Sequence, residues 1–175
     1  MATLKAPIND QDHIQGNVKA SCTLLEYGDY ECPHCGAAYP LVKELQKNFG
    51  KRMRFIYRNF PMTQLHPNAE GAAVAAEFAA THGKFWEMHD LLFENQDRLG
   101  DDLFAELATQ LDLDPAELKE AMAKRTLTDH VRADFTGGIR SGVNGTPTFF
   151  INDQRYDRPR DYATMVSAIE EALAS

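Results

Sequence analysis

The chain has 175 residues, enough for one generous hydrophobic core or a core carrying an insertion. Hydrophobic residues make up 43% and charged residues 25%, which excludes a disordered tail, a coiled coil and a disulfide-dense mini-protein. A net charge of −8 with a pI near 5.2 lacks the basic footprint of a nucleic-acid binder, and no apolar run reaches the roughly 18 residues of a membrane span.

Residues 22–27, Cys-Thr-Leu-Leu-Glu-Tyr, are apolar and β-prone, and Gly28-Asp29 punctuates their end, so a short buried strand is expected. From Cys35 to Phe49 the pattern turns helical, with Leu41, Val42, Leu45 and Phe49 on one stripe and Pro40 as an expected kink. Gly50 stops it, and residues 53–60 read as a second strand. Strand, helix, strand over so short a span is a βαβ unit with a right-handed crossover.

The middle of the chain is helical without interruption. Residues 67–80 are alanine-rich, 84–97 carry Phe85, Trp86, Met88, Leu91, Leu92 and Phe93, and 102–111 repeat at helical spacing. Asp114-Pro115-Ala116-Glu117 reads as a capping box with proline at the first helical position, and a further run occupies about 128–141. Strand signals return at Thr146–Ile151, a turn at residues 152–154 leads to Arg155-Tyr156, and residues 161–174 form an amphipathic closing helix.

Three cysteines cannot build a disulfide framework. Two of them form Cys32-Pro33-His34-Cys35, which on its own is a redox pair, half of a zinc site, or chance. Its place is informative. It falls at the carboxyl end of a strand and on the first turn of a helix, the crevice where open α/β sheets put their chemistry.

The stretch from Glu26 to Cys35 resembles the active-site segment of DsbA-like thiol-disulfide oxidoreductases, Gly145-Thr146-Pro147 resembles their cis-proline loop, and His82–Gln96 resembles their inserted helical domain. The resemblance implies a thioredoxin-like α/β fold interrupted by an all-helical insertion. The boundaries expected are 1–61 and 139–175 for the discontinuous thioredoxin-like domain and 62–138 for the insertion. It implies dithiol–disulfide exchange with protein or peptide thiols, together with a redox partner that re-oxidises or re-reduces the pair. Pro33-His34 matches the dipeptide of the strongly oxidising members, which favours disulfide donation. A cytoplasmic reductase, or a redox-sensing interaction domain of the same fold, is the alternative. No cofactor or metal is expected, since the dithiol is itself the redox group. A zinc module is disfavoured because no second CxxC and no close histidine pair accompany the first.

The chemistry assigns roles. Cys32, at a helix N-terminus, is the expected nucleophile, partly exposed and with a lowered pKa helped by His34. Cys35, a turn deeper, is the resolving thiol. Glu26 is expected as a buried acid relaying a proton to or from Cys35, as the resemblance implies. Thr146 and Pro147 should present backbone to an extended substrate. Cys22 reads as a small buried hydrophobe. His66, His82 and His89 read as surface or packing residues, with 82 and 89 on a helix away from the cysteines, and Arg155, Arg158 and Arg160 as a solvated face. The first twenty residues lack a secretory leader's apolar region, so the cytoplasm is expected, or the periplasm if a leader has been removed.

Overall fold

A computed structural model describes residues 2–175. Its sheet has five strands, β1 (His13–Gly16), β2 (Cys22–Gly28), β3 (Met53–Asn59), β4 (Thr148–Ile151) and β5 (Gln154–Arg155), in the order β1-β3-β2-β4-β5. β2 and β3 run parallel, joined by α1 (Pro33–Phe49), while the outer pairings are antiparallel. β1 was not expected. It carries a single apolar residue, Ile14, before Gly16, and exists as a strand only because β3 offers it an edge.

The central strand β2 is buried along its whole length, and its side chains alternate between two cores. Cys22 and Leu24 join Phe55, Phe149 and Ile151 beneath Cys35, Val42 and Leu45 of α1 and Met165 and Ile169 of α7 (Tyr162–Ala174). Leu25 and Tyr27 join Ile56, Phe60, Phe150 and Val143 on the other face. Each large side chain removed from water in this way contributes about 1.5–3 kcal/mol. Glu26 continues the Cys22–Leu24 row, so the chain places a carboxylate where the pattern calls for an apolar group.

Between β3 and β4 lie five helices, α2 (Ala69–Ala80), α3 (Phe85–Glu94), α4 (Asp101–Gln110), α5 (Pro115–Ala123) and α6 (Thr126–Arg140). The alanines of α2 leave room for close approach, and Ala72, Ala75, Ala76 and Ala79 are buried in one cluster with Phe85, Met88, Leu103 and Leu107. Asp114 caps α5 by accepting from the Ala116 backbone N–H at 2.8 Å, with Pro115 in the first turn. α1 runs without a break through Pro40.

Candidate active site

Cys32 is the N-cap of α1, and Pro33 follows at its first position, where the missing N–H is no loss. The unpaired amides of the first turn therefore converge on the Cys32 sulfur. Its pKa falls to about 5: the Cys35 thiol donates to it, as do Thr146 and the backbone N–H groups of Cys35 and His34, together overcoming the cost of burial. Cys35 goes the other way. Burial, the hydrogen bond to Cys32 and the charge of Glu26 push its pKa well above normal. Both thiols are free.

One expectation needs correction here. Cys32 is not partly exposed; it is 5% exposed against 0% for Cys35, with the Thr146 carbonyl 3.5 Å from its sulfur. The loop before β4 lies over it. His34 supports the thiolate with its backbone N–H, while its side chain sits on the exposed side of the first turn.

The Thr146–Pro147 peptide bond is cis, as expected. Glu26 is 3% exposed, its Oε1 has no hydrogen-bond partner in the protein, and its pKa rises to about 8. Burial is the largest cause and the Cys32 charge adds to it, while Arg160 opposes both. Arg160 also donates to the Pro147 carbonyl at 3.2 Å. It does not belong to a merely solvated face, because α7's approach carries it against the proline loop. Arg158 does fit that description, paired at the surface with Glu171.

Several positioning residues escaped the sequence reading. Asp29 is 1% exposed; its backbone N–H approaches the Cys35 sulfur at 3.4 Å, and its carboxylate accepts from the backbone N–H groups of Glu31 and Met62. His66 Nδ1 lies 2.8 Å from the same carboxylate, so this histidine braces the cysteine loop. Gln96, just beyond α3, donates from Nε2 to the carbonyls of Tyr30 and Cys32, each at 2.9 Å. A Cβ on Gly36 would stand 2.2 Å from the Gln96 Oε1, so glycine lets this clamp close. His89, expected away from the cysteines, instead packs on Tyr30 with its Nδ1 2.9 Å from the tyrosine hydroxyl; its helix docks directly on the active-site segment. His82 lies before α3 rather than on it. Cys22 is fully buried, and burial raises its thiol to about 11, so it is inert packing.

A family model described as Thioredoxin matches residues 8–171. A curated relative, the Na(+)/H(+) antiporter NhaA 3 of Salinispora tropica, is 41% identical over 173 residues, covering 98% of this chain and 26% of its own length. The chain thus spans about a quarter of the curated relatives it matches. Among solved structures, oxidised BdbD from Bacillus subtilis has a TM-score of 0.89 at 26% identity, covering 99% of both chains. A thioredoxin-like oxidoreductase from Silicibacter pomeroyi has a TM-score of 0.84 at 25% identity, covering 95% of both. At 19% identity and a TM-score of 0.82, alpha-DsbA1 of Wolbachia pipientis shares the fold over 98% of this chain and 94% of its own.

Proposed function

We propose that this chain, which belongs to the thioredoxin family, is a DsbA-type thiol-disulfide oxidoreductase that donates its Cys32–Cys35 disulfide to protein or peptide dithiols. One observation carries the reading. Two cysteines three residues apart are driven in opposite directions, Cys32 down to about 5 and Cys35 far up, which separates the roles of leaving group and buried resolving thiol.

The reaction follows from that asymmetry. A substrate thiolate attacks the Cys32 sulfur of the disulfide, the Cys32–Cys35 bond breaks, and the electron pair leaves on Cys35. Cys35 takes up a proton, for which Glu26, holding its own up to about pH 8 and raising the Cys35 pKa by its charge, is the proposed donor. A second substrate thiolate then attacks the substrate sulfur of the mixed disulfide and expels Cys32. The substrate loses two electrons, the cysteine pair gains them, and Cys32 departs as the stable thiolate. Because that anion exists only in the reduced protein, its stabilisation favours giving the disulfide away, at about 1.4 kcal/mol per pKa unit.

Thr146 and Pro147 are the proposed substrate-binding residues, since the Thr146 carbonyl and hydroxyl stand against the attacked sulfur. Such a donor works where disulfides persist, which favours an export compartment over the cytoplasm. The ion exchange named for the Salinispora relative is not carried over: among the described residues no helix is long and apolar enough to cross a membrane.

The test is the equilibrium of the Cys32–Cys35 pair with glutathione. The reading expects a pair more oxidising than glutathione and able to oxidise a reduced peptide dithiol stoichiometrically. A pair that glutathione cannot reduce would identify a reductase instead.

A further inference from the structure

On the far side of the sheet from the proline loop, His13 of β1, Glu77 of α2 and His130 of α6 bring their polar atoms together. The ligand atoms of all three lie within 4.8 Å of one another. His13 Nε2 is 2.8 Å from both Glu77 oxygens, and His130 Nε2 is 3.2 Å from Oε1. Asp134, one turn along α6, brings its Oδ2 to 3.8 Å from His130 Nε2. Asn59 ties the two carboxylates together, its Nδ2 donating to Glu77 Oε1 and Asp134 Oδ2 at 3.0 Å each.

We propose that His13, Glu77 and His130 form a zinc site that joins the edge of the sheet to the helical insertion, with the fourth position left to water. Two imidazoles and a carboxylate are a recurrent zinc donor set. Ligands about 2.0 Å from a tetrahedral ion stand about 3.3 Å apart, and here Glu77 stands 2.8 Å from His13 and 3.2 Å from His130, with all three ligand atoms within 4.8 Å of one another. The His13 ring is held by stacking on Phe85, with centroids 3.7 Å apart and an interplanar angle of 11°, so it is already oriented toward Glu77. Charge points the same way. Glu77 and Asp134 place two carboxylates on one amide, and Arg58, in the adjoining cleft, is engaged with Asp12 at 2.7 Å. A cleft of about 170 Å³, with Asp12, Arg58 and Asp134 in its lining, reaches His130 from outside. None of the three donors takes part in the thiol chemistry.

The cysteines are themselves zinc ligands, so the experiment uses protein with the Cys32–Cys35 disulfide closed and stripped with a chelator. Zinc chloride titrated into this protein should bind at one equivalent and raise the melting temperature with free zinc. Cobalt(II) should give visible d–d bands without a thiolate charge-transfer band. His13→Gln and His130→Gln should each weaken zinc binding at least about tenfold while leaving thiol exchange unchanged. The cobalt spectrum of the wild-type chain decides the donor set even if a variant misfolds. Failure of the oxidised chain to bind zinc, a thiolate band in the cobalt spectrum, or affinity unchanged in both folded variants would overturn the proposal. Uptake of calcium in place of zinc would also overturn it, because calcium takes an all-oxygen set.

Discussion

Glu26 and Glu77 are buried to nearly the same depth, 3% and 4% exposed. They nevertheless end on opposite sides of the ordinary carboxylate range. Glu26, with a bare Oε1 and the Cys32 charge nearby, rises to about 8. Burial pushes Glu77 upward too, but hydrogen bonds and charges from His13 and His130 overcome it and bring the group to about 2. Depth sets what a charge costs; partners decide whether the cost is met. The chain uses both outcomes. One glutamate stays protonated up to about pH 8, and the other is a fixed anion between three elements.

The largest expected effect tests that contrast in the chelator-treated protein. Glu77→Leu leaves His13, His130 and Asn59 without their common acceptor and should cost about 3–5 kcal/mol in urea denaturation. Glu26→Leu removes a carboxylate with an unsatisfied oxygen and should be neutral within about 1 kcal/mol, or stabilising. Equal costs would break the comparison. The pH windows separate as well. Glu77, lowered when folded, supports stability above about 4.5 and loses that support as pH falls toward about 2. Glu26, raised when folded, gives support that is present below about 4.5 and is lost as pH rises through about 8. The Glu26→Gln variant should therefore gain on the wild type across that upper window only.

The second effect compares redox forms. A Cys32 pKa of about 5 in the folded chain against 9.0 unfolded stabilises the reduced protein by about 3 kcal/mol at pH 7. Closing a four-residue loop stabilises the oxidised protein by about 2 kcal/mol. The reduced form should lead by about 1 kcal/mol at neutral pH. Since the folded pKa is the lower one, this advantage is complete above the unfolded value and fades as pH falls, so the order should reverse near pH 6. Denaturation of both forms across pH reads it. An oxidised form that stays the more stable at pH 8 would sink the disulfide-donor reading.

What the sequence revealed follows the range of the interactions. β2, α1 and β3 are written in local periodicity, and Asp114-Pro115 announces α5 without help from the rest of the fold. β1 is not legible, because His-Ile-Gln-Gly becomes a strand only through pairing with β3. The cysteine pair and the Thr146-Pro147 loop were legible as short motifs. Their braces were not. Gln96, Arg160 and His66 reach the site from 64, 13 and 37 residues away from their partners, and nothing in their own neighbourhoods marks them. Glu77 lies within an alanine-rich helix and nothing in its neighbourhood singles it out, although two histidines distant in the chain hold it. His34 was legible through its nearness to Cys32 in sequence, and the group that supports the thiolate is its backbone N–H.

A third, smaller effect isolates the loop. Thr146→Val keeps the shape of the side chain and removes the hydroxyl that supports the Cys32 thiolate. A hydrogen bond to an ionised group contributes about 1.5–3 kcal/mol, so Cys32 should rise by on the order of one pKa unit. The pH profile of iodoacetamide alkylation measures this directly, since Cys32 reacts first. The same variant should leave the Glu77 window untouched, because the two sites share no partner. An unchanged profile would assign the thiolate to the helix terminus and Cys35 alone.

The smallest expected effect belongs to His34. Its contribution to the thiolate is a backbone N–H, which alanine retains, and its side chain is exposed to screening water. His34→Ala should therefore shift the Cys32 alkylation profile by less than about half a unit. The comparison with Thr146→Val makes the result informative, because both residues flank the same sulfur and only one aims a side-chain donor at it. A shift of a full unit would mean that the imidazole folds back over Cys32 in solution.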